Sequence, residues 1–231
     1  MLHRPALTLS LILAALPAIA LAAERRVDLS SFDKLRVEGP FRVTITTGPS
    51  PRGMVSGDAE ALRAVETRLS NGVLVVRRVV ADGGPVRSTT PVTLTLTAPP
   101  LSAITVIGGA QVNAQALKGS AMTLSITGAG EIQVERADGD QLTATLFGPA
   151  RLGIGGGRVG RARLLANGPV ALAASGLDAG DLSVTLEGAG EIGARARYTA
   201  TIGNNGLGRV IVEGTPKCRA TGGGSVRCGA K

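Results

Sequence analysis

Few residues of this 231-residue chain could carry out acid–base, nucleophilic or metal chemistry, and their types exclude several kinds of site. The only histidine is His3, within an N-terminal segment that we predict to be removed. Without an imidazole, the mature chain cannot hold a histidine-based catalytic triad, general base or metal site. Two cysteines are too few for a four-thiolate zinc site. We therefore expect no metal site and no cofactor.

Two pairs of acidic residues lie in predicted turns, Asp138 with Asp140 and Asp178 with Asp181. Calcium takes oxygen ligands from such loops, so a calcium site is the alternative interpretation. The glycine- and aspartate-rich nonapeptide of calcium-binding β-rolls is absent, however. We favour the interpretation without metal.

Glutamates near the repeat turns are the remaining candidates for catalysis. Glycoside hydrolysis needs two carboxyl groups no more than about 9.5 Å apart. The repeat described below places Glu131 and Glu191 three coils apart, about 14 Å. Glu187 and Glu191 could lie closer, but surface charge accounts for both. Aromatic platforms for sugar rings are also scarce, because aromatic residues make up 2% of the chain. We therefore predict that the protein is not an enzyme.

Residues 155–160 match the dinucleotide-binding pattern G-x-G-x-x-G. That motif works only between a strand and a helix, where the helix N-terminus holds the pyrophosphate. Here a further strand of the repeat follows. We therefore predict a corner between strands and no nucleotide site.

The two cysteines, Cys218 and Cys228, lie symmetrically about Gly223 at inward positions of the last and shortest repeat. Earlier residues at equivalent positions should face each other across one coil, so we predict a disulfide that closes the C-terminal coil. The entropy model gives about 2.8 kcal/mol for a loop of about eleven residues. The alternative, a redox-active pair, lacks the C-x-x-C spacing and an activating histidine.

Arginine gives the chain its basic character. Residues 151–231 contain 11 basic and five acidic side chains, and the whole chain has a net charge of +8. A basic surface attracts lipopolysaccharide, acidic glycans and anionic lipids; the alternative is a surface charged for solubility alone. Nucleic acid is not expected as a partner, because the protein is predicted to be exported and has few aromatic residues for base stacking. If one face binds an anionic polymer, six arginines are the expected contacts: Arg151, Arg158, Arg161, Arg163, Arg195 and Arg197.

The N-terminal residues 1–23 have the organisation of a secretory signal peptide. A short basic start precedes an apolar stretch from Ala6 to Leu21, and residues 20–22 form a small-x-small cleavage site. The alternative is an uncleaved membrane anchor. No other apolar run is long enough to span a bilayer. We therefore predict that the mature chain, residues 24–231, has no transmembrane segment and is periplasmic, extracellular or on the cell surface.

A repeat of twenty residues organises the C-terminal part of the chain. Apolar and polar residues alternate around glycines that recur at this spacing: Gly108, Gly128, Gly148, Gly168 and Gly188. Alternation with period two and β-branched residues indicate β-strands. Because the alternation keeps its phase across each glycine, we predict a bend within a continuous coil rather than a hairpin.

The length of the repeat predicts the geometry of the coil. Twenty residues at about 3.3 Å each give a path of about 66 Å, or three sides of about 20 Å. We predict an all-β fold, a single-stranded right-handed parallel β-helix with coils of about 20 residues. In-register stacking then makes a column of alternating charge from Lys118, Asp138, Arg158 and Asp178. Opposite charges on neighbouring strands are favourable, which supports this register.

The mature chain is predicted to be a single β-helix domain with two parts. Residues 24–100 form an irregular N-terminal part, and residues 101–231 form regular repeats that end in the disulfide-closed coil. Residues 35–45 alternate in the same manner as the repeats, and residues 73–78 and 91–98 are further predicted strands.

One short helix is predicted in the N-terminal third, over residues 58–69. Asp58 is its expected N-cap, and Leu62, Val65 and Leu69 form its expected apolar stripe. Terminal units of repeat proteins are atypical caps, so we interpret this helix as a cap or side decoration on the coil.

The opening FDKLRVEGPFRVTI, residues 32–45, resembles the start of the GIN-domain family of auto-transporter adhesin heads. The resemblance covers nearly all of residues 30–231 and implies an exported bacterial β-helix protein. It implies no particular catalytic chemistry, because no catalytic motif defines the family. Later features follow in a similar order: a helix near Asp58, the strand at 71–76, the run at 92–100, the segment LSAITVIG at 101–108, and Gly-Ala-Gly turns at 128–130 and 188–190.

We therefore expect a non-enzymatic, exported binding or structural module of the bacterial envelope or surface, similar to an adhesin. Its flat faces, rich in Thr, Ser and Arg, would bind an anionic envelope polymer or a surface protein. A β-helix carbohydrate-active enzyme of the lyase or esterase type is one alternative, which turnover on uronate polymers would favour. A self-assembling envelope scaffold that forms homo-oligomers is another, because an uncapped coil end invites edge pairing.

Overall fold

Strands dominate the computed structural model, which describes residues 23–79 and 91–230. Within these residues the fold is all-β, with 73% strand and one short helix. The predicted signal peptide lies outside the described residues apart from Ala23. The helix is α1 (Ala59–Arg63). The strands are β1 (Ala23–Val27), β2 (Lys34–Glu38), β3 (Phe41–Thr47), β4 (Arg52–Gly57), β5 (Val65–Ser70), β6 (Val73–Arg78), β7 (Val92–Ala98), β8 (Ala103–Ile107), β9 (Gln111–Thr127), β10 (Glu131–Phe147), β11 (Arg151–Ile154), β12 (Gly157–Asn167), β13 (Ala171–Glu187), β14 (Glu191–Asn204), β15 (Arg209–Gly214), β16 (Lys217–Thr221) and β17 (Ser225–Ala230).

Parallel pairing at an offset of twenty residues builds the coil. Strand β10 pairs with β9 from Glu131 opposite Gln111 to Phe147 opposite Thr127. Alternate side chains such as Leu124 and Ile126 are fully buried, as a period-two pattern requires. The predicted β-solenoid is confirmed, with about six turns at a spacing of about 20 residues.

Each coil has three sides, which we number along the chain. The first side comprises residues 121–127, the second side 131–134 and the third side 136–139, each with its equivalents in other coils. Within β10, pairing with β9 is interrupted at Glu135 and at Asp140. Residues 128–130 lie between the end of β9 and the start of β10. These three interruptions are the corners of the coil.

Stacked glycines form the corner between the first and second sides. Gly128 has a φ of +109°, in the region that favours glycine. A Cβ built on Gly128 would lie 3.0 Å from the carbonyl oxygen of Gly108 in the preceding coil. The glycines recur every twenty residues because each coil turns at the same place, and the stacked turns leave no space for a Cβ.

The N-terminal coils are stacked in a different order from the sequence. Strand β2 lies between β6 and β8, and β3 lies between β7 and β9, all in parallel. The coil made of β6 and β7 is therefore the end of the stack. Antiparallel strands cover its edges, because β5 pairs with β6, β4 with β7, and β1 with β4.

The predicted helix over residues 58–69 is too long. Its start is confirmed, because the Asp58 side chain caps α1 and accepts the backbone N–H of Glu60 at 2.8 Å. Val65 and Leu69, expected on its apolar stripe, lie instead in β5, which forms an antiparallel hairpin with β6. The hairpin turn is Asn71–Gly72, with φ of +51° and +75°. An Asn-Gly turn with both φ values positive fits the twist of a two-strand hairpin, which outweighs the helical pattern.

One continuous hydrophobic core runs through the inside of the coils, from Phe32 and Phe41 near the N-terminal end to Val212 near the C-terminal end. The last coil contributes little to it, because every residue of β16 is exposed. The predicted Cys218–Cys228 disulfide is present there, with 6.4 Å between the Cα atoms. It links β16, on the first side, to β17, which pairs along the second side.

Candidate functional site

No group of three or more His, Cys, Asp or Glu side chains is placed to hold a metal ion within residues 23–79 and 91–230. Residues 155–160, which match the nucleotide-binding pattern, comprise the two residues between β11 and β12 and the first four residues of β12. Strand β12 continues beyond them, as predicted, where such a motif needs a helix.

The glutamates near the turns are spread along the solenoid. Glu131 stacks on Arg151, Arg151 on Ala171, and Ala171 on Glu191. Three spacings between parallel strands separate the two glutamates by about 14 Å, beyond the range of paired glycosidase carboxyl groups. Glu187 lies on the first side, where its carboxylate accepts the Asn167 side-chain amide at 3.1 Å.

The third side carries the predicted column of alternating charge. Asp138 stacks on Lys118, Arg158 on Asp138 and Asp178 on Arg158. Burial opposes ionisation of Asp138, but hydrogen bonds from the Arg136 side chain and the Arg158 N–H, with the charges of Arg136 and Lys118, lower its pKa. The carboxylate is therefore held in its charged form between the coils.

Further ion pairs neutralise the arginines of the third side. Asp178 contacts both Arg158, at 3.2 Å, and Arg197, at 3.3 Å. Arg195 pairs with Glu213 of the next coil at 3.0 Å. Three of the six arginines predicted to bind a polymer thus have carboxylate partners within the solenoid.

Two of the other arginines lie on the first side. Arg161 and Arg163 are exposed and two residues apart on β12, so both project outward. Neither forms an ion pair with any part of the chain that the structure describes. Arg163 stacks between Thr143 and Ser183. Arg161 stacks between Gln141 and Asp181. Hydroxyl side chains occupy the column of Arg163 and the next outward column: Thr105, Thr123, Ser125, Thr143, Thr145, Ser183, Thr185 and Thr201.

Arg151 lies on the second side, beside a shallow trough of about 330 Å³. Small residues, Ala171, Ala173 and Gly193, form part of its lining, and Glu131 and Glu191 line it as well. The six arginines are therefore distributed over three sides.

Exposed aromatic residues are a feature that the sequence reasoning missed. Phe147 is 49% exposed and stacks between Thr127 and Asn167 at the end of the first side. Tyr198 is 62% exposed, and the Arg197 guanidinium lies 5.1 Å from its ring centre. The alternation alone places Phe147 outward, since its neighbour Leu146 belongs to the buried set.

The sequence matches, over residues 31–216, the protein family described as "Putative auto-transporter adhesin, head GIN domain". No curated protein matches the chain.

Several solved structures share the fold. A "putative adhesin" from Bacteroides fragilis is similar with a TM-score of 0.79 and 17% identity, over 90% of this chain and 97% of that one. A "putative adhesin" from Parabacteroides merdae has a TM-score of 0.69 and 15% identity, over 90% and 96%. A "Putative lipid binding protein" from Parabacteroides distasonis has a TM-score of 0.64 and 15% identity, over 92% and 96%.

Proposed function

We propose, on the premise that the chain belongs to the GIN-domain family of adhesin heads, that it is a non-enzymatic binding module of the bacterial envelope or surface. Its binding surface is the first side of the solenoid, and its ligand is an anionic envelope polymer. The observation that carries the proposal is the exposed pair Arg161 and Arg163, neither of which forms an ion pair within the described residues. Asp181 stacks on Arg161 but accepts the Thr199 hydroxyl, and hydroxyl side chains flank Arg163.

The chemistry of this surface suits a repetitive anionic chain. Guanidinium groups bind carboxylates and phosphates through two parallel hydrogen bonds. The neighbouring hydroxyls, such as Thr143 and Ser183, can donate to or accept from sugar hydroxyls. Strands about 4.8 Å apart repeat the hydroxyl groups along the solenoid on both sides of the arginine pair, so a polymer can bind at several points.

Export is the second part of the proposal. The signal-like residues 1–23 and the Cys218–Cys228 disulfide support it, because disulfides persist in oxidising compartments. Within the described residues, no helix has the length and apolar character needed to cross a membrane. Cell fractionation with N-terminal sequencing tests this part. Recovery of reduced, unprocessed protein in the cytoplasm would contradict it.

The experiment that tests binding is a pull-down of the oxidised protein on purified lipopolysaccharide, peptidoglycan and acidic glycans. We expect binding to at least one, with affinity that falls as salt rises and charges are screened. The double variant Arg161→Gln, Arg163→Gln should bind at least tenfold more weakly.

The matched control is Arg158→Gln, Arg195→Gln, which removes the same charge from the third side, where both arginines are ion-paired. We expect less than a threefold change for this control. Equal losses for both variants would show that net charge alone drives binding. The absence of binding to all three polymers would contradict the proposal.

A further inference from the structure

We propose that the edge strand β16, at the C-terminal end of the solenoid, is a docking site for an extended acidic segment of another protein. The segment would add to β16 as one more strand of the sheet. Strand β16 is the last strand of the first side, and Lys217 and Arg219 lie in the same outward columns as Arg161 and Arg163, three strands further along. The inference concerns the hydrogen-bonding edge of β16 rather than its outward face, so loss of strand pairing distinguishes it from polymer binding.

The two ends of the solenoid differ in how their strand edges are covered. At the N-terminal end, the chain's own antiparallel strands β5 and β4 pair with β6 and β7 of the outer coil, and β1 pairs with β4. At the C-terminal end, β16 pairs with β14 and β17 with β15, and no other described strand pairs with either. All five residues of β16 are exposed. A flat, uncovered edge is a template for strand addition.

The peptide groups that the edge presents follow from the hydrogen-bond pattern of the preceding coils. Residues whose side chains point inward direct their backbone carbonyls to the following coil. The Ala150 carbonyl accepts the N–H of Ala171 at 3.0 Å, and the Val170 carbonyl accepts the N–H of Glu191 at 2.8 Å. By the same alternation, the peptide groups of Cys218 and Ala220 point away from β14. They are donors and acceptors for an incoming strand.

Charge selects the class of partner. Residues 215–230 contain three basic side chains, Lys217, Arg219 and Arg227, and no acidic one. Pairing of β16 with a second copy of itself would place basic side chains opposite each other. Stacking on the opposite end of another molecule would bring them to β1, which carries Glu24, Arg25 and Arg26 and is therefore net positive. Both arrangements oppose self-association and favour an acidic partner.

The register predicts the pattern of the segment. Its outward positions stack on Lys217 and Arg219, so carboxylates are expected at two positions separated by one residue. Its inward positions cover Cys218 and Ala220 at the open end of the core, so small apolar residues are expected between and after the carboxylates. The disulfide holds the edge in place before binding, which lowers the ordering cost of association.

The test measures fluorescence anisotropy of a labelled hexapeptide that alternates aspartate with valine, titrated with the oxidised protein. We expect saturable binding and at least a tenfold loss of affinity with the Lys217→Glu, Arg219→Glu variant. N-methylation of every second amide keeps the charge of the peptide but removes the backbone N–H donors from one edge of its strand. The two peptides methylated on opposite sets of amides should differ at least tenfold in affinity.

The control variant is Arg158→Gln, Arg195→Gln on the third side, which should bind the hexapeptide as the unmodified protein does, because both arginines are ion-paired away from β16. Equal binding of both methylated peptides and a scrambled peptide would show a non-specific anion patch and overturn the proposal. Absence of peptide binding would also overturn it, and would indicate that the basic side chains of β16 serve only to prevent self-association of the protein. A concentration-dependent dimer in sedimentation, abolished by a change at Arg219, would assign the edge to a second copy and also overturn it.

Discussion

The carboxylate of Asp138 accepts the backbone N–H of Arg158 at 3.0 Å, although the two residues are twenty positions apart in the chain. The same carboxylate accepts the guanidinium of Arg136 in its own coil. One side chain therefore joins two coils at a defined register. Exposed ion pairs alone contribute at most about 1 kcal/mol. The bond to the backbone adds a geometric constraint that alternating charges by themselves lack.

We expect the pKa of Asp138 to lie below its ordinary value of 3.8, because the hydrogen bonds and charges around it outweigh its burial. A folded-state pKa below the unfolded one stabilises the fold above the unfolded pKa, and this stabilisation is lost as pH falls through the folded pKa. An NMR titration of the carboxyl carbon measures it. Arg136→Gln should raise the pKa towards 3.8, and no change would contradict the assigned cause.

The regular part of the fold could be predicted because its signals are local. A glycine every twenty residues and alternation that keeps its phase define the corner and the coil length. The charge column around Asp138 then fixes the register. The order of the N-terminal coils has no such signal, because β2 contacts β6 and β8 only through long-range pairing. The sequence predicts too long a helix, because the Asn71–Gly72 turn places Val65 and Leu69 in a hairpin that their helical spacing does not show.

The distribution of arginines over the sides could not be predicted from their spacing. Arg158 and Arg161 are three residues apart, yet they lie on the third and first sides, because the corner at Gly160 separates them. Whether an arginine is free or paired depends on the next coil, as Asp178 shows by contacting Arg158 and Arg197. A corner within a continuous strand such as β12 does not interrupt the alternation of apolar and polar residues enough to be located from the sequence.

Removal of the disulfide should destabilise the last coil. Cys218→Ser with Cys228→Ser is expected to lower the free energy of unfolding by about 2.8 kcal/mol in the loop-entropy model. The effect should be local, because β16 is exposed and adds little to the core. Hydrogen exchange should accelerate in β16 and β17 while β9 and β10 stay protected. Unchanged exchange in β16 would contradict this role.

Substitution within the glycine column should be costly. Gly188 has a φ of +129°, and a Cβ there would lie 2.8 Å from the backbone nitrogen and oxygen of Gly168. We expect Gly188→Ala to lower the free energy of unfolding by about 1–3 kcal/mol, measured by urea denaturation. Gly109→Ala is the matched control, because no atom lies within 4 Å of its added Cβ. Its effect should stay within about 0.5 kcal/mol.

Asn204 is the polar residue buried within the C-terminal coils, at a position where the preceding coil has Leu186. Its side-chain amide donates to the carbonyls of Gly208, at 2.9 Å, and Ser225, at 3.1 Å, and so ties the corner of its own coil to the start of β17. Asn204→Leu restores the apolar column but leaves both carbonyls without this donor. We expect a loss of about 1–3 kcal/mol in urea denaturation, with faster hydrogen exchange in β17. Asn113→Leu, at an exposed position on β9, is the control and should change stability by less than about 0.5 kcal/mol. Equal stability of the two variants would show that the amide does not hold the last coil.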